Sequence, residues 1–295
     1  MENLVSLIDK FNCDDKCREA LEKIRWPVGV CCTRCGDLNV LELHKHNRWE
    51  CKSCGYQFSV TAGTIMHDSH LPLRKWFLAI YLMCESKKGI SANQMKRTLG
   101  VSYKTAWYLC HRIRQAMGNE PFEGPTLFGI VEVDETLVGG KVKGKGHAYK
   151  GNKAWVVGAI QRGGKVRIER VPDVKRDTLH DFIHRTVKDE AEAIYTDEMR
   201  SYIGIGDHDT RHETVRHSED EWVVGDVHTN SIEGVWSLFK RSLMGAFHKM
   251  SVKHMDRYIE ELEWRYNNRN NPHIFRDTLA RIMDTKHMTY RELVA

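Results

Sequence analysis

Three features of the sequence point to a multidomain α+β chain: a small N-terminal ribbon, a helical segment, and an α/β domain with a mixed sheet. Two Cys-x2-Cys pairs stand fifteen residues apart near the start. A strongly basic helical stretch follows, interrupted by glycine. Beyond Phe128, apolar strands that end in carboxylates alternate with amphipathic helices. The 295 residues suffice for two or three domains, and 41% apolar content suffices for a sizeable core. Only six prolines and no low-complexity tract argue against long disorder. No apolar run approaches the roughly 18 residues of a membrane span. The start, Met1-Glu2-Asn3-Leu4, lacks the basic-then-apolar pattern of a secretory signal. A cytoplasmic, nucleoid-associated chain without membrane contact is therefore expected.

The first domain is expected over residues 1–63, as a helix and a ribbon. Nine cysteines in a cytoplasmic chain are not expected to form disulfides. Cys32, Cys35, Cys51 and Cys54 have the spacing of a tetrahedral four-thiolate zinc site. Gly36 and Gly55 follow the two knuckles and suit their tight turns. Val40 to Trp49 can form the hairpin between them. With every position filled by thiolate, the zinc is structural. Cys31 competes with Cys32 but breaks the two-residue spacing. Cys13 and Cys17 share a face of a helix over 14–24 and are read as packing residues.

The second domain, residues 64–120, concentrates the charge. The whole chain has a net charge of +5, yet residues 70–118 hold nine Lys/Arg and the single acid Glu85. Such a segment is an electrostatic footprint for a polyanion, most simply nucleic acid. Helices are expected over 73–84, 91–99 and 103–117, with Gly100 ending one and Ser102 capping the next. Helix, glycine turn and helix form a helix-turn-helix pattern, whose second helix enters the major groove. That helix offers Lys104, Tyr108, His111, Arg112 and Arg114.

The third domain is expected over 121–268, with a tail over 269–295 that includes one helix near 275–283. Strands are expected over 128–135, 154–160, 165–171 and 191–197, and near 214–217. Helices are expected over 176–188, 231–243 and 256–266. The order of three strands, helix, strand, short strand and helix is ribonuclease H-like. Asp134 and Asp197 end strands that can lie side by side, and Glu233 projects from the helix after them. Three converging carboxylates repel one another unless cations neutralise them. Hard divalent ions, Mg2+ or Mn2+, fit that role, and two such ions suit phosphodiester displacement. Asn230 is kept as a further ligand or as the cap of the Glu233 helix. Lys240 and Arg241 follow Glu233 by two helical turns and suit a DNA backbone. Lys141 and Lys143, with Lys145 and Lys150, form a Gly/Lys-rich cationic stretch, again a DNA contact. His147 and His228 are read as packing or phosphate contacts.

These residues carry a resemblance. Arg25-Trp26-Pro27, Thr61-Ala62-Gly63-Thr64, Val131-Glu132-Val133-Asp134-Glu135-Thr136, Thr196-Asp197 and His228-Thr229-Asn230-Ser231-Ile232-Glu233, followed by Trp236, Lys240 and Arg241, occur in a fixed order. In them the chain resembles the DDE-type transposases of bacterial insertion sequences, in the ISXO-two-like group, from about residue 10 to 270. The resemblance implies cleavage at terminal inverted repeats, then transfer of 3′-hydroxyl ends into target DNA, by a homo-oligomer on the DNA ends. It places the third acidic position on Asn230 or Glu233; the better ligand for a hard cation is the carboxylate of Glu233. The alternative reading is a catalytically silent, transposase-derived DNA-binding protein. Such a protein would have no need of Asp134, Asp197 and Glu233 together.

Overall fold

The computed structural model describes residues 3–118, 126–139, 153–206, 210–215, 223, 225–248 and 250–295. Lys141 and Lys143 lie outside the described residues, as do Lys145, His147 and Lys150. Two compact units form: Met1–Asn119 together with Asn270–Ala295, and Glu120–Arg269. Among the described residues, no helix is long and apolar enough to cross a membrane.

The first unit begins with helices α1 (Leu4–Lys10) and α2 (Asp14–Arg25). A three-stranded antiparallel sheet follows, from β1 (Val40–Leu43), β2 (Arg48–Cys51) and β3 (Gln57–Phe58). Helices α3 (Leu73–Glu85), α4 (Ala92–Leu99) and α5 (Tyr103–Gly118) come next. Ser91 caps α4 by accepting the Gln94 N–H at 3.1 Å. Gly100 ends α4 in the left-handed region at φ 61°, where a side chain would be strained. Ser102 then accepts the Thr105 N–H at 3.1 Å as α5 starts. The residues expected to form a tail belong to this unit's core. Helix α9 (Ile274–Asp284) places Phe275 against Phe77 and Tyr81, at ring-centroid distances of 5.8 and 6.1 Å. Beyond it, the Tyr108 hydroxyl donates to the Met288 carbonyl at 2.5 Å, just before α10 (Tyr290–Val294).

This packing corrects part of the expected DNA surface. Arg112 and Arg114 are only 4% and 2% exposed, and His111 is fully buried. The Arg112 guanidinium donates to the His67 carbonyl at 2.7 Å and lies over the rings of Trp76 and Tyr108. Its charge is thus used inside the fold, where cation–π contact and a carbonyl replace water. Lys104 stays exposed, 4.4 Å above the Tyr290 ring. Lys96 and Arg97 of α4 and Tyr103, Lys104 and Thr105 in the first turn of α5 are among the exposed positions of the motif.

The second unit is a five-stranded sheet in the order β6-β5-β4-β7-β8. Its strands are β4 (Ile130–Val138), β5 (Ala154–Gln161), β6 (Val166–Val171), β7 (Ala193–Asp197) and β8 (Arg211–Val215). β5 runs antiparallel to both of its neighbours, β4 and β6, whereas β7 pairs parallel to β4 and β8 parallel to β7. A parallel pair needs a crossover, and α6 (Arg176–Thr186) supplies it. This is the ribonuclease H-like topology. Alternation along the strands sorts the core. Val131, Val133, Val157 and Ala159 join Leu179, Phe182 and Ile183 of α6 on one face. Val156 and Ile160 join Ile232, Val235, Trp236 and Phe239 of α7 (Asn230–Ser242), and Ile259 and Leu262 of α8 (Met255–Asn267), on the other.

Gly158 sits opposite Asp134 in the β4–β5 register, directly under Trp236. A Cβ there would meet Trp236 carbons at 2.7 and 2.9 Å and Ile232 Cδ1 at 3.0 Å. The indole is rigid and cannot swing aside as a flexible chain would. Gly158→Ala is therefore expected to destabilise the unit by about 1–3 kcal/mol, through overpacking of α7 on the sheet. Urea unfolding of the variant beside wild type measures it; an unchanged midpoint would mean that α7 re-seats freely.

Candidate active site

Parallel pairing brings the two aspartates together. In the β4–β7 register Glu132 stands opposite Tyr195, so Asp134 and Asp197, each two residues further on, come abreast. Asp134, Glu135 and Asp197 each offer a carboxylate oxygen, and these oxygens lie within 4.8 Å of one another. Asp134 faces α7, where the Trp236 indole N–H donates to its Oδ2 at 2.9 Å. Glu135 points to the α6 face, where the buried Tyr202 hydroxyl donates to its Oε2 at 2.5 Å. Asp197 accepts the Met199 N–H at 3.0 Å, which turns the chain away at the strand end.

Glu233 sits half-buried in the first turn of α7, with the Thr229 hydroxyl donating to its Oε1 at 3.3 Å. Asn230 is the first residue of the helix and is exposed; Thr229 is the N-cap residue. Lys240 and Arg241 are exposed in its last turn. Two carboxylates outside the expected set are prominent. Glu135 offers an oxygen to the same cluster, although strict alternation sends its Cβ to the opposite face from Asp134; its longer side chain spans the difference. Glu132 is fully buried, and its partners are on α7 and at the end of β5. Its place two residues before Asp134 was the available signal, since both must share a strand face.

The electrostatics of the acidic cluster are those of a cation site. Burial pushes the Asp134 carboxyl up to about 6, with Asp197 adding to the rise, the indole hydrogen bond opposing it, and Glu233 contributing weakly. Burial raises Glu135 to about 7, opposed by the Tyr202 hydrogen bond and reinforced by Asp197 and Asp134. Among the described residues, no lysine or arginine forms an ion pair with Asp134, Glu135 or Asp197. Hard oxygen donors without a protein counter-charge fit a divalent ion.

The cysteine cluster fits a different ion. Sγ separations are 3.7 Å for Cys32–Cys54 and 3.6 Å for both Cys35–Cys51 and Cys35–Cys54. A tetrahedral zinc with bonds of about 2.3 Å requires thiolates about 3.8 Å apart. The Gly36 and Gly55 N–H groups bond back to the Cys32 and Cys51 carbonyls at 2.9 Å, and both glycines have positive φ. Cys32, and not Cys31, belongs to the set.

A pH dependence follows from Asp134. Burial pushes its carboxyl from the ordinary 3.8 up to about 6, so the folded state holds the proton more tightly than the unfolded chain does. Stability should fall as pH rises from about 4 through about 6, by about 3 kcal/mol, and stay low above that. Without added Mg2+ or Mn2+, Asp134→Asn should exceed wild type in urea resistance at pH 8 and match it near pH 4. Equal stability of the two proteins at pH 8 would contradict the crowding of charge at this site.

Comparison with known proteins matches both the ribbon and the sheet-bearing part of the chain to transposase families. Residues 126–267 match the ISXO2-like transposase domain, and residues 12–57 match the transposase zinc-ribbon domain. A Halobacterium salinarum protein, described as an uncharacterized protein in transposable element ISH50, is 29% identical over 255 residues, 80% of this chain and 85% of its own. A transposase-like protein of Haemophilus influenzae is 33% identical over 104 residues, 35% of this chain and 82% of its own. Among solved structures, a chain of the simian T-cell lymphotropic virus intasome bound to a PP2A regulatory subunit aligns at 14% identity and TM-score 0.31, over 59% of this chain and 63% of that one. A chain of the Mos1 pre-cleavage transpososome aligns at 12% identity and TM-score 0.26, over 72% of this chain and 80% of its own. With an acidic cluster where β7 ends beside the middle of β4, a four-cysteine ribbon, and family matches to both domains, the chain belongs to the ISXO2-like transposase family.

Proposed function

We propose that this protein is the DNA-cleaving and strand-transferring transposase of its insertion sequence, working at the chromosome on that element's terminal inverted repeats. The observation that carries the reading is the convergence of Asp134, Glu135 and Asp197 within 4.8 Å, with no lysine or arginine paired to them among the described residues, beside the helix that bears Glu233. Asp134 and Asp197 are the shared ligands, and Glu233 is the third carboxylate. Divalent ions bound there would activate the attacking water or 3′-hydroxyl and stabilise the leaving oxygen. The chain's own residues do the orienting. Trp236 holds one Asp134 oxygen, Tyr202 aims Glu135, and Thr229 aims Glu233. Lys240 and Arg241 extend from the same helix as cations for the DNA backbone.

The ribbon and the helix-turn-helix bind the element ends. The groove-facing residues are those left exposed at the start of α5, Lys104 among them, with Lys96 and Arg97 of α4 as phosphate contacts. Structural zinc at Cys32, Cys35, Cys51 and Cys54 holds the ribbon folded. Two ends must be joined to a target, so the working form is a homo-oligomer on DNA.

The test is cleavage of DNA carrying the repeats that flank its own gene, with Mg2+ or Mn2+. Wild type should nick at the repeat ends. Asp197→Asn should abolish nicking while binding the repeats with unchanged affinity. Glu233→Gln should cost more activity than Glu135→Gln if Glu233 is the third ligand. Chelation of zinc should cost end-specific binding, and affinity should fall steeply with salt as phosphate contacts release counterions. Tight zinc-dependent binding without any cleavage would instead identify a DNA-binding descendant of a transposase.

A further inference from the structure

Glu132 is fully buried, and every partner it has serves α7 or its approach. Its Oε2 accepts the backbone N–H groups of Ser231 at 2.7 Å and Ile232 at 3.1 Å. Its Oε1 accepts the Ser231 hydroxyl at 2.9 Å and Arg162 Nε at 2.7 Å, with His228 Nδ1 at 3.3 Å. Arg162 also donates to the His228 carbonyl at 3.1 Å, and its guanidinium lies 4.8 Å from the centre of the Tyr195 ring. Tyr195 is two residues before Asp197 on β7.

The first N–H groups of a helix have no partner within the helix. Thr229, the N-cap residue of α7, makes no side-chain cap bond. A carboxylate from β4, about a hundred residues away in sequence, does so instead, and its negative charge suits the helix dipole. Arg162 balances that charge, so Glu132 is spent on the protein and is not available as a metal ligand. Ile232, whose N–H is held, immediately precedes Glu233. On the same strand face, Asp134 holds Trp236 one turn further along α7. Two carboxylates of one strand thus fix both the axial position and the rotation of the helix that carries the third.

We propose that Glu132, with Arg162 and Ser231, is a positioning residue: it locks the first turn of α7 to β4 so that Glu233 completes the site formed by Asp134 and Asp197. The proposal rests on the metal-site reading given under Proposed function. Partners that orient a ligand without touching the metal are typically worth about 10- to 100-fold in metal affinity or activity.

The test compares full-length, zinc-loaded wild type with Glu132→Gln, Ser231→Ala, Arg162→Lys and Asp197→Asn. Three quantities are read: Mn2+ affinity by calorimetry, the Mg2+ concentration for half-maximal cleavage, and amide hydrogen exchange along α7. Glu132→Gln is expected to bind repeat DNA as wild type does, to lose roughly 10- to 100-fold in Mn2+ affinity, and to need correspondingly more Mg2+. Exchange should quicken at Ser231 and Ile232 but not at Phe239. Ser231→Ala should show a smaller loss of the same kind. A Glu132→Gln protein with a lowered Tm but wild-type Mn2+ affinity and Mg2+ requirement would overturn the proposal, since that is what a purely structural ion pair gives. If Glu132→Gln does not fold, unchanged Mn2+ affinity in both Ser231→Ala and Arg162→Lys overturns it equally. Wild type binding Mn2+ no better than Asp197→Asn would overturn the metal-site reading itself and this proposal with it.

Discussion

The parallel pairing of β4 with β7 is the constraint on which the acidic site depends. One-residue slippage would send Asp134 to the α6 face and separate it from Asp197. The register is held from both sides of the sheet. Val131 and Val133 are buried against α6, while β5, on the far side of β4, presents Gly158 so that Trp236 can lie close. Apolar burial on two faces supports the cost of gathering like charges at one strand end. That cost is visible in Asp134 and Glu135, which hold their protons to about pH 6 and 7.

Three acidic residues within four positions of β4 have three different surroundings, and the differences assign their work. Glu132 is met by an arginine, a hydroxyl and two amides, a satisfied buried anion. Asp134 receives one indole N–H and faces another carboxylate. Glu135 receives one phenol and lies within reach of the same cluster. A buried charge that the protein satisfies is structural, whereas one left facing its like requires a counter-charge from elsewhere. Burial sorts them in the same sense: Glu132 is fully buried, whereas Asp134 and Glu135 keep partial exposure.

Much of this was legible in the sequence because the signals were local. Cysteine spacing and knuckle glycines determine a ribbon without reference to the rest of the chain. Periods of two and 3.6 place strands and helices within a few residues of the observed ones; Asp197 ends its strand as expected, whereas Asp134 stands mid-strand because β4 runs on to Val138. What escaped was carried by long-range contact. Glu132 meets Ser231 across about a hundred residues, and no local pattern announces that pair. Glu135 was passed over because alternation describes where a Cβ points and not how far a glutamate can reach. Asn230 and Glu233 have the spacing of a capping box, yet the helix amides are satisfied by a strand carboxylate instead. Residues 269–295, expected as a tail with one helix, carry α9 and α10 instead, and Phe275 of α9 completes an aromatic cluster with residues far away in sequence.

The helix-turn-helix shows why net charge is a statement about a segment and not about a surface. Residues 70–118 carry a large positive excess, but a helix presents only part of its circumference to solvent. On α5 the inward part includes Arg112 and Arg114, so two of the nine cations are withdrawn from any DNA contact by this segment. Those on the turn-proximal side, Lys96, Arg97 and Lys104, stay in water. They flank the start of α5, the part of a second helix that reaches base edges when such a motif enters the major groove. Burial removes Arg112 and Arg114 from the surface, while Arg74, Lys87 and Lys88 stay exposed together with the cations that flank the turn. An electrostatic signal becomes a recognition surface only when the fold has decided which charges remain outside.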